Sequence, residues 1–205
     1  SYRQVQSFTS LGGAVTQTTD MSVEIVRWAR ACWNRIMRYL RELYDQPKVA
    51  LSLKTRMVKA EAIEALLYGC STWTLRKNDY AKLRTVHHRV LLCIIGIQSK
   101  RPDHRMTSYN RALEITRCES IDTMLRTRRI LWAGTLIRIS GGRLPKRIAF
   151  GNLEGAVRRE RGGKVKEWND CVQSDIRAFG ITGHWKAIAL KAEIWGETVA
   201  ECGRR

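Results

Sequence analysis

Proline is scarce in this sequence, with three residues among 205. A chain with few prolines keeps long stretches in which a helix can continue without interruption. Several of those stretches carry apolar residues at helical spacing, which predicts a mainly α-helical fold. The apolar fraction of 44% and the seven tryptophans exclude a globally disordered chain. The length admits one large domain or two small ones.

Long apolar runs are also missing. The longest, over 90–97, is interrupted by Cys93 and Gly96 and is too short to cross a bilayer. No charged-then-apolar leader follows Ser1, so we expect no signal peptide and no membrane partner. The expected location is intracellular, in the cytoplasm or nucleus. Because the first residue is not methionine, we expect a trimmed chain or a piece of a longer reading frame.

The cysteines are not closely spaced. The six residues stand at positions 32, 70, 93, 118, 171 and 202. This spacing excludes a CxxC zinc or redox motif and a dense disulfide framework. We therefore expect reduced, buried thiols and no structural metal.

Acidic residues are few, with 19 Asp and Glu against 37 Lys and Arg. No pair of aspartates stands in an apolar strand context, as a two-metal phosphoryl-transfer site requires. The phosphate-binding, nucleophile-elbow and HExxH motifs are absent too. Glu167 and Asp170 share a helix face and, beside Lys164 and Lys166, are interpreted as surface ion-pair partners. The sequence predicts no active site and no cofactor in this chain.

Positive charge is what the sequence has, and it is concentrated between residues 126 and 166. Only Glu154 and Glu160 oppose it there. Such crowding favours a polyanionic partner, RNA or DNA, although a solvated basic face remains the alternative. If roughly half of these cations contact phosphates, the slope of log K against log salt is about −5. The cations are Arg126, Arg128, Arg129, Arg138, Arg143, Lys146, Arg147, Arg158, Arg159, Arg161, Lys164 and Lys166.

Aromatic residues are interspersed with this charge, as in proteins that bind single-stranded nucleic acid. Trp132 and Trp168 fit apolar helix stripes and are predicted to be core residues. Phe150 is left open between core packing and stacking. Within 126–166, we expect the helix to position the basic stretch and the loop to contact the nucleic acid.

The clearest predicted helix runs from Asp20 to about Tyr44. Its inward stripe is Ile25, Ala29, Cys32, Ile36, Leu40 and Leu43. The opposite face carries Arg27, Arg30, Arg38 and Arg41, which taken alone is interpreted as a solvated face. Before it, residues 1–19 contain at most a short strand or hairpin.

Further helices are predicted over 52–69, 78–96, 108–117, 120–139, 166–179 and 184–202. The inward positions include Met57, Ala60, Ile63 and Leu67 in the first of these, and Ile121, Leu125, Leu131 or Trp132, and Leu136 in the fourth. In the last they include Trp185, Ala192 and Trp195. A linker at 100–103 and a mobile basic loop at about 151–164 complete the prediction.

Five local strings, in order over about residues 5–200, resemble the C-terminal region of non-LTR (LINE-like) retrotransposon reverse transcriptases. The most specific is "LSLKTRMVKAEAIEALLYGCSTWTL", which is similar to that family's thumb segment with its hallmark L-L-Y-G-x-x-T/S-W-x-L. The others are "SFTSLGGAV", "LRTVHHRVLLCIIGI", "RTRRILWAGTLIRISGGRLPKRIAFG" and "RERGGKVKEWNDCVQSDIRAFGI". Departures from the family pattern are Leu92 for Arg, Thr135 for His, Gly163-Lys164 for Arg-Pro, and Lys191-Ala192 for Asp-Arg.

The resemblance implies a division of the chain. Residues 1–19 would end the palm, with Phe8, Leu11 and Gly12 in a primer-grip turn. Residues 20–98 would be a helical thumb, and 99–205 a basic helical post-thumb region that engages template RNA or target DNA. The catalytic fingers and palm, and any Mg²⁺, would belong to the parent polymerase upstream. The resemblance also raises the expectation that the arginine face of the first helix contacts nucleic acid.

The resulting hypothesis is a non-catalytic, nucleic-acid-binding C-terminal portion of an RNA-directed DNA polymerase. One alternative is that these residues are part of an intact reverse transcriptase. Another is a degenerate or host-encoded helical interaction domain without nucleic-acid activity. The sequence does not distinguish RNA from DNA, nor an active element from a degenerate one.

Overall fold

The computed structural model of this chain describes residues 7–10, 13–16, 21–96, 107–151 and 167–203. The described chain is mainly α-helical, as predicted. It opens with a two-stranded antiparallel hairpin in which β1 (Ser7–Ser10) pairs with β2 (Gly13–Thr16), Ser7 opposite Thr16. The short N-terminal hairpin allowed by the sequence is therefore present.

The chain divides into two compact units, and the division does not fall at the predicted boundary of 98/99. Unit 1 comprises 1–69 and 75–122, and unit 2 comprises 70–74 and 123–205. The reason lies at Tyr109, whose hydroxyl is 2.8 Å from His87 Nδ1 and accepts a hydrogen bond from the backbone N–H of Ile121. These contacts hold residues 107–122 to the helix that carries His87.

Unit 1 is built on α1 (Ser22–Arg38), followed by a π-helical turn at Leu40–Tyr44. Ile25, Cys32 and Ile36 on α1 are buried, as the predicted stripe required. The other helices of this unit are α2 (Leu51–Met57), α3 (Glu64–Leu66), α4 (Lys77–Ile95) and α5 (Tyr109–Thr116). α4 ends at Gly96, whose φ of 88° is the left-handed conformation expected of a C-terminal glycine.

The single helix predicted over 52–69 is interrupted by a π-helical segment at Val58–Ile63 between α2 and α3. Because a π turn is wider than an α turn, the buried face changes phase there. Ile63 and Leu67 are buried as predicted, and Val58, Ala62 and Leu66 are buried with them. Ala60, predicted to face inward, is exposed. The Ala60 prediction was therefore wrong.

Unit 2 contains α6 (Ile121–Arg138, which begins at the end of unit 1), α7 (Leu144–Phe150), α8 (Trp168–Ala178), α9 (Trp185–Ala189) and α10 (Ala192–Gly203). One hydrophobic core joins these helices, with Ile130, Val172 and Trp195 among its buried residues. Pro145 stands in the first turn of α7, where its missing N–H costs no helical hydrogen bond.

The helix predicted over 184–202 is two helices. In one straight helix, ten residues separate two side chains by about 15 Å along the axis. The break after α9 instead brings the indole centroids of Trp185 and Trp195 to 5.8 Å. Ala192, predicted to face inward, is exposed. The helix is thus broken between the two tryptophans, and their rings pack against each other in the core.

Two acidic side chains cap the N-terminal ends of helices. The Asp79 carboxylate accepts a hydrogen bond of 3.0 Å from the Arg76 N–H, and that of Asp170 accepts one of 3.1 Å from the Glu167 N–H. Each carboxylate therefore satisfies an N–H at its helix start. Asp170 and Glu167 form a capping box. Lys164 and Lys166, their predicted ion-pair partners, lie outside the described residues.

Candidate nucleic-acid interface

Arg129, one of the predicted phosphate contacts, is buried. Its side chain is 0% exposed, and its Nη1 lies 2.7 Å from Asp175 Oδ2. A guanidinium that is enclosed in the core and paired with a carboxylate cannot reach a phosphate without breaking the fold. Arg129 is therefore a core residue, which corrects the prediction made from its charge alone.

Several other cations of α6 and α7 are used by unit 2 itself. Arg126 Nε lies 3.6 Å from Asp175, and Arg138 Nη1 donates a 2.8 Å hydrogen bond to the carbonyl of Ala189. Lys146 Nζ donates to the carbonyls of Ile137 and Ile139 at 2.7 and 2.9 Å, which closes the C-terminal end of α6. These intramolecular contacts fix the side-chain positions of Arg126, Arg138 and Lys146.

Arg143 and Arg147 lie on the surface of unit 2. Both are exposed, at the start and in the last turn of α7. The α7 sequence contains no acidic residue. Arg128, also in the predicted set, is half-buried on α6.

The outward face of α1 is free of carboxylates. Glu24, the single acid of this helix, is buried and its Oε1 accepts a 2.7 Å hydrogen bond from Trp28 Nε1. Arg30 and Arg38 are exposed, and the Arg27 guanidinium lies 5.3 Å from the Trp28 ring centroid. The same face carries exposed apolar side chains, Val23, Val26 and Met37. Arg41, exposed in the π turn beyond α1, adjoins Glu42.

The three aromatic residues of the basic stretch have different surroundings. Trp132 is 36% exposed, so its predicted core position was wrong; Leu131, the other inward candidate, is 38% exposed. Trp168 is half-buried against the core of unit 2, as predicted, and its Nε1 donates to the Ser71 carbonyl at 2.7 Å. Phe150 is also half-buried, with its ring centroid 5.7 Å from that of Trp168.

Part of the predicted site lies outside the described residues. This applies to Leu11 and Gly12 of the primer-grip-like turn, to Arg158, Arg159, Arg161 and Lys164 of the basic loop, and to Lys166 after it. Phe8 falls within β1. Gly151 and Glu167, the described residues on either side of this gap, adjoin Phe150 and Trp168 in sequence.

Nucleophilic and metal-binding chemistry finds little support in the part of the chain that the structure describes. No group of three or more His, Cys, Asp or Glu in it could hold a metal ion. All six cysteines are free thiols, and burial raises the pKa of Cys32 to about 12 and that of Cys93 to about 11. Such thiols stay protonated at neutral pH and are poor nucleophiles.

His87 is fully buried. Burial, together with the neighbouring His88, lowers its pKa to about 4. The ring is therefore neutral at physiological pH, and its contact with Tyr109 makes it part of the unit 1 core. His88 is half-buried and its Nε2 lies 3.0 Å from the Thr107 carbonyl oxygen.

One contact was not anticipated from the sequence. Lys186 Nζ lies 5.4 Å from the ring centroid of Phe150 and 5.9 Å from that of Trp185. Periodicity could not reveal the pairing of Lys186 with Phe150, because these two residues are distant in sequence and meet only when α7 and α9 pack together.

Comparison with known proteins yields no relative: no family model, no curated protein and no solved structure matches this chain. Among the residues that the structure describes, no helix combines the length and apolar character needed to cross a membrane.

Proposed function

We propose that this chain is a non-catalytic, nucleic-acid-binding C-terminal portion of a non-LTR retrotransposon reverse transcriptase. It would hold template–primer or target nucleic acid inside the cell, while the polymerase palm and its Mg²⁺ lie in the parent chain upstream. Two supports are independent of each other: the ordered family-like strings in the sequence and the distribution of exposed charge.

The observation that carries the proposal is the outward face of α1. Four arginines and one glutamate belong to this helix, and the glutamate is turned inward to Trp28. Arg30 and Arg38 are consequently exposed on a helix face to which no residue of α1 contributes a carboxylate. Uncompensated cations in one row attract a polyanion and release its condensed counterions on binding.

A second cationic surface supports the same proposal in unit 2. Arg143 and Arg147 are exposed on the acid-free helix α7. The chain that joins Gly151 to Glu167 carries five of the predicted contact cations in its sequence, and both of its ends lie at the Phe150–Trp168 contact.

The test is a pair of matched variants on α1. Arg30 is exposed on the outward face, whereas Arg35, 46% exposed, lies 4.0 Å from Glu61. We expect R30Q to weaken binding to labelled structured RNA, single strands and duplex DNA, and to reduce the salt slope by about 1. R35Q removes the same charge from the same helix and should leave the slope nearly unchanged. Fluorescence anisotropy across a salt series measures both.

Two results would contradict the proposal. Absence of binding to every nucleic acid at low salt would contradict the proposed nucleic-acid binding. Equal effects of R30Q and R35Q on binding would show that the outward face of α1 is not the contact surface. The loss of affinity would then depend on net charge and not on the position of the arginine.

The competing function is a helical interaction domain that contacts another protein. The exposed apolar side chains of α1, Val23 at 56%, Val26 at 47% and Met37 at 56%, favour it, since such residues are frequent at protein interfaces. V26Q/M37Q separates the two functions. It should leave nucleic-acid affinity within about twofold if phosphate contacts dominate.

A further inference from the structure

A shallow groove in unit 2 lies between α6, α7 and α9. Its floor is apolar and includes Ile137, Phe150, Ala187 and Leu190, while Lys146 and Lys186 stand at its rim. None of the described residues that line it is acidic. His184 completes the lining. A groove with an apolar floor and two lysines at its rim suits a ligand that is flat, apolar on its faces and negatively charged at its ends.

Phe150 offers a ring surface in this groove. Its ring packs nearly edge to face with Trp168, with an interplanar angle of 70°, and lies 6.5 Å from the Trp185 ring centroid. These two tryptophans fix the orientation of the ring from the core side. The Lys186 ammonium lies over the ring, and Lys186 is exposed. Because the Lys186 side chain is flexible, a ligand can displace it from the face of the Phe150 ring.

Lys146 is positioned more firmly than Lys186. Its ammonium group has three donors, and two of them are held by the carbonyls of Ile137 and Ile139. One donor remains for an anion at the edge of the groove. The two lysines therefore differ in mobility. The ammonium group of Lys146 is held in place, whereas that of Lys186 can move from the Phe150 ring to a phosphate.

We propose that this groove binds one unpaired nucleobase of a single-stranded nucleic acid. The base stacks on Phe150, Lys186 leaves the ring to pair with a phosphate beside that base, and Lys146 contacts the phosphate on the other side. The inference rests on the proposed nucleic-acid function and deepens it by naming the class of ligand.

The groove selects for an unpaired base because of what stacking requires. A base inside a duplex has both faces covered by its neighbours, so it reaches Phe150 only after it is unstacked. A single strand makes that contact readily, and aromatic stacking tolerates any base because every base has a π-face. The site should thus distinguish strandedness and not sequence.

The experiment uses the full chain and three fluorescent probes: a dT oligonucleotide, an abasic oligonucleotide of the same length, and a duplex. We expect F150L to weaken binding of the dT strand roughly tenfold and to leave binding of the abasic strand within twofold. K186Q should weaken both strands, since it removes a phosphate contact. K191Q, the loss of an exposed lysine that does not line the groove, is the charge-matched control.

A second variant avoids any change to the packing of Phe150. Ala187 is exposed, so A187F should fill the groove without disturbing the core and should reproduce the selective loss of dT binding. Circular dichroism checks that every variant is folded.

Each outcome decides something. Selective loss of dT binding with F150L and A187F supports the base site. Equal losses for dT and abasic strands, or unchanged binding with A187F, overturn it while the nucleic-acid function stands. Absence of binding to all three probes overturns both.

Discussion

Arg129 shows how burial changes the meaning of a charged residue. The sequence places it in a row of arginines, yet its side chain is 0% exposed and that of Asp175 only 5%. Taking two charges out of water is costly, and their mutual attraction offsets the cost only while both partners remain. The pair therefore specifies how α6 packs on α8, and it contributes nothing to an external surface.

Removing one partner should expose this dependence. D175A leaves the buried Arg129 without its carboxylate, and we expect the free energy of unfolding to fall by about 3–5 kcal/mol in urea denaturation. The exposed pair Arg111–Glu114, with side chains 66% and 64% exposed, is the control, and E114A should cost less than about 1 kcal/mol.

Replacing both partners provides a second check on the same pair. R129M/D175L removes the two charges together and should be closer to the wild type than D175A. A loss below about 1 kcal/mol for D175A would show that Arg129 reaches water by another route.

At the scale of elements, the packing of α6 on α10 depends on one missing side chain. Gly134 on α6 is buried, and a Cβ there would overlap Trp195 Nε1 and Cδ1. The same Trp195 Nε1 donates a 3.2 Å hydrogen bond to the Ile130 carbonyl. The two helices can thus approach closely only because position 134 has no side chain.

Two glycine-to-alanine substitutions in helices of unit 2 should have opposite effects. Alanine is favoured over glycine in a helix by about 1 kcal/mol, so G196A, with no atom within 4 Å of the added Cβ, should stabilise the protein. In G134A the clash with Trp195 outweighs this gain, and we expect a net loss of about 1–3 kcal/mol. Thermal unfolding measures both. Stabilisation by G134A would mean that the indole moves aside at little cost.

At the scale of the whole molecule, the two units are interleaved in sequence. Residues 70–74 belong to unit 2 although they stand between segments of unit 1. This short segment supplies the Ser71 carbonyl that binds Trp168 Nε1, and its Trp73 is only 4% exposed. The most specific family-like string therefore contributes to both units.

A fragment of residues 123–205 should consequently be an incomplete unit 2. It lacks the acceptor for Trp168 and the buried Trp73, so we expect weak near-ultraviolet circular dichroism and a broad, non-cooperative thermal transition. The full chain is the reference. Adding residues 70–74 through a flexible linker should restore part of the cooperativity. A sharp transition in the unmodified fragment would contradict the assignment of 70–74 to this unit.

The helices were predictable to different degrees, for reasons visible in α1 and α6. α1 packs on one side only, so Ile25, Cys32 and Ile36 form one stripe that the periodicity reveals. α6 is enclosed on several sides, with Leu125, Ile130 and Ala133 all buried. No single stripe describes such a helix, which is why Leu131 and Trp132 were assigned to the core although both are exposed.

The sequence alone determined the helical class, the end of α4 at Gly96 and the excess of positive charge. These depend on local conformational preference and on composition, which no distant contact alters. The tertiary structure decided which charges are available. It buried Arg129 against Asp175, turned Glu24 inward and left Arg30 facing solvent. It also brought Lys186 over Phe150. These outcomes depend on contacts between residues far apart in the chain, and such contacts exist only once the helices have packed.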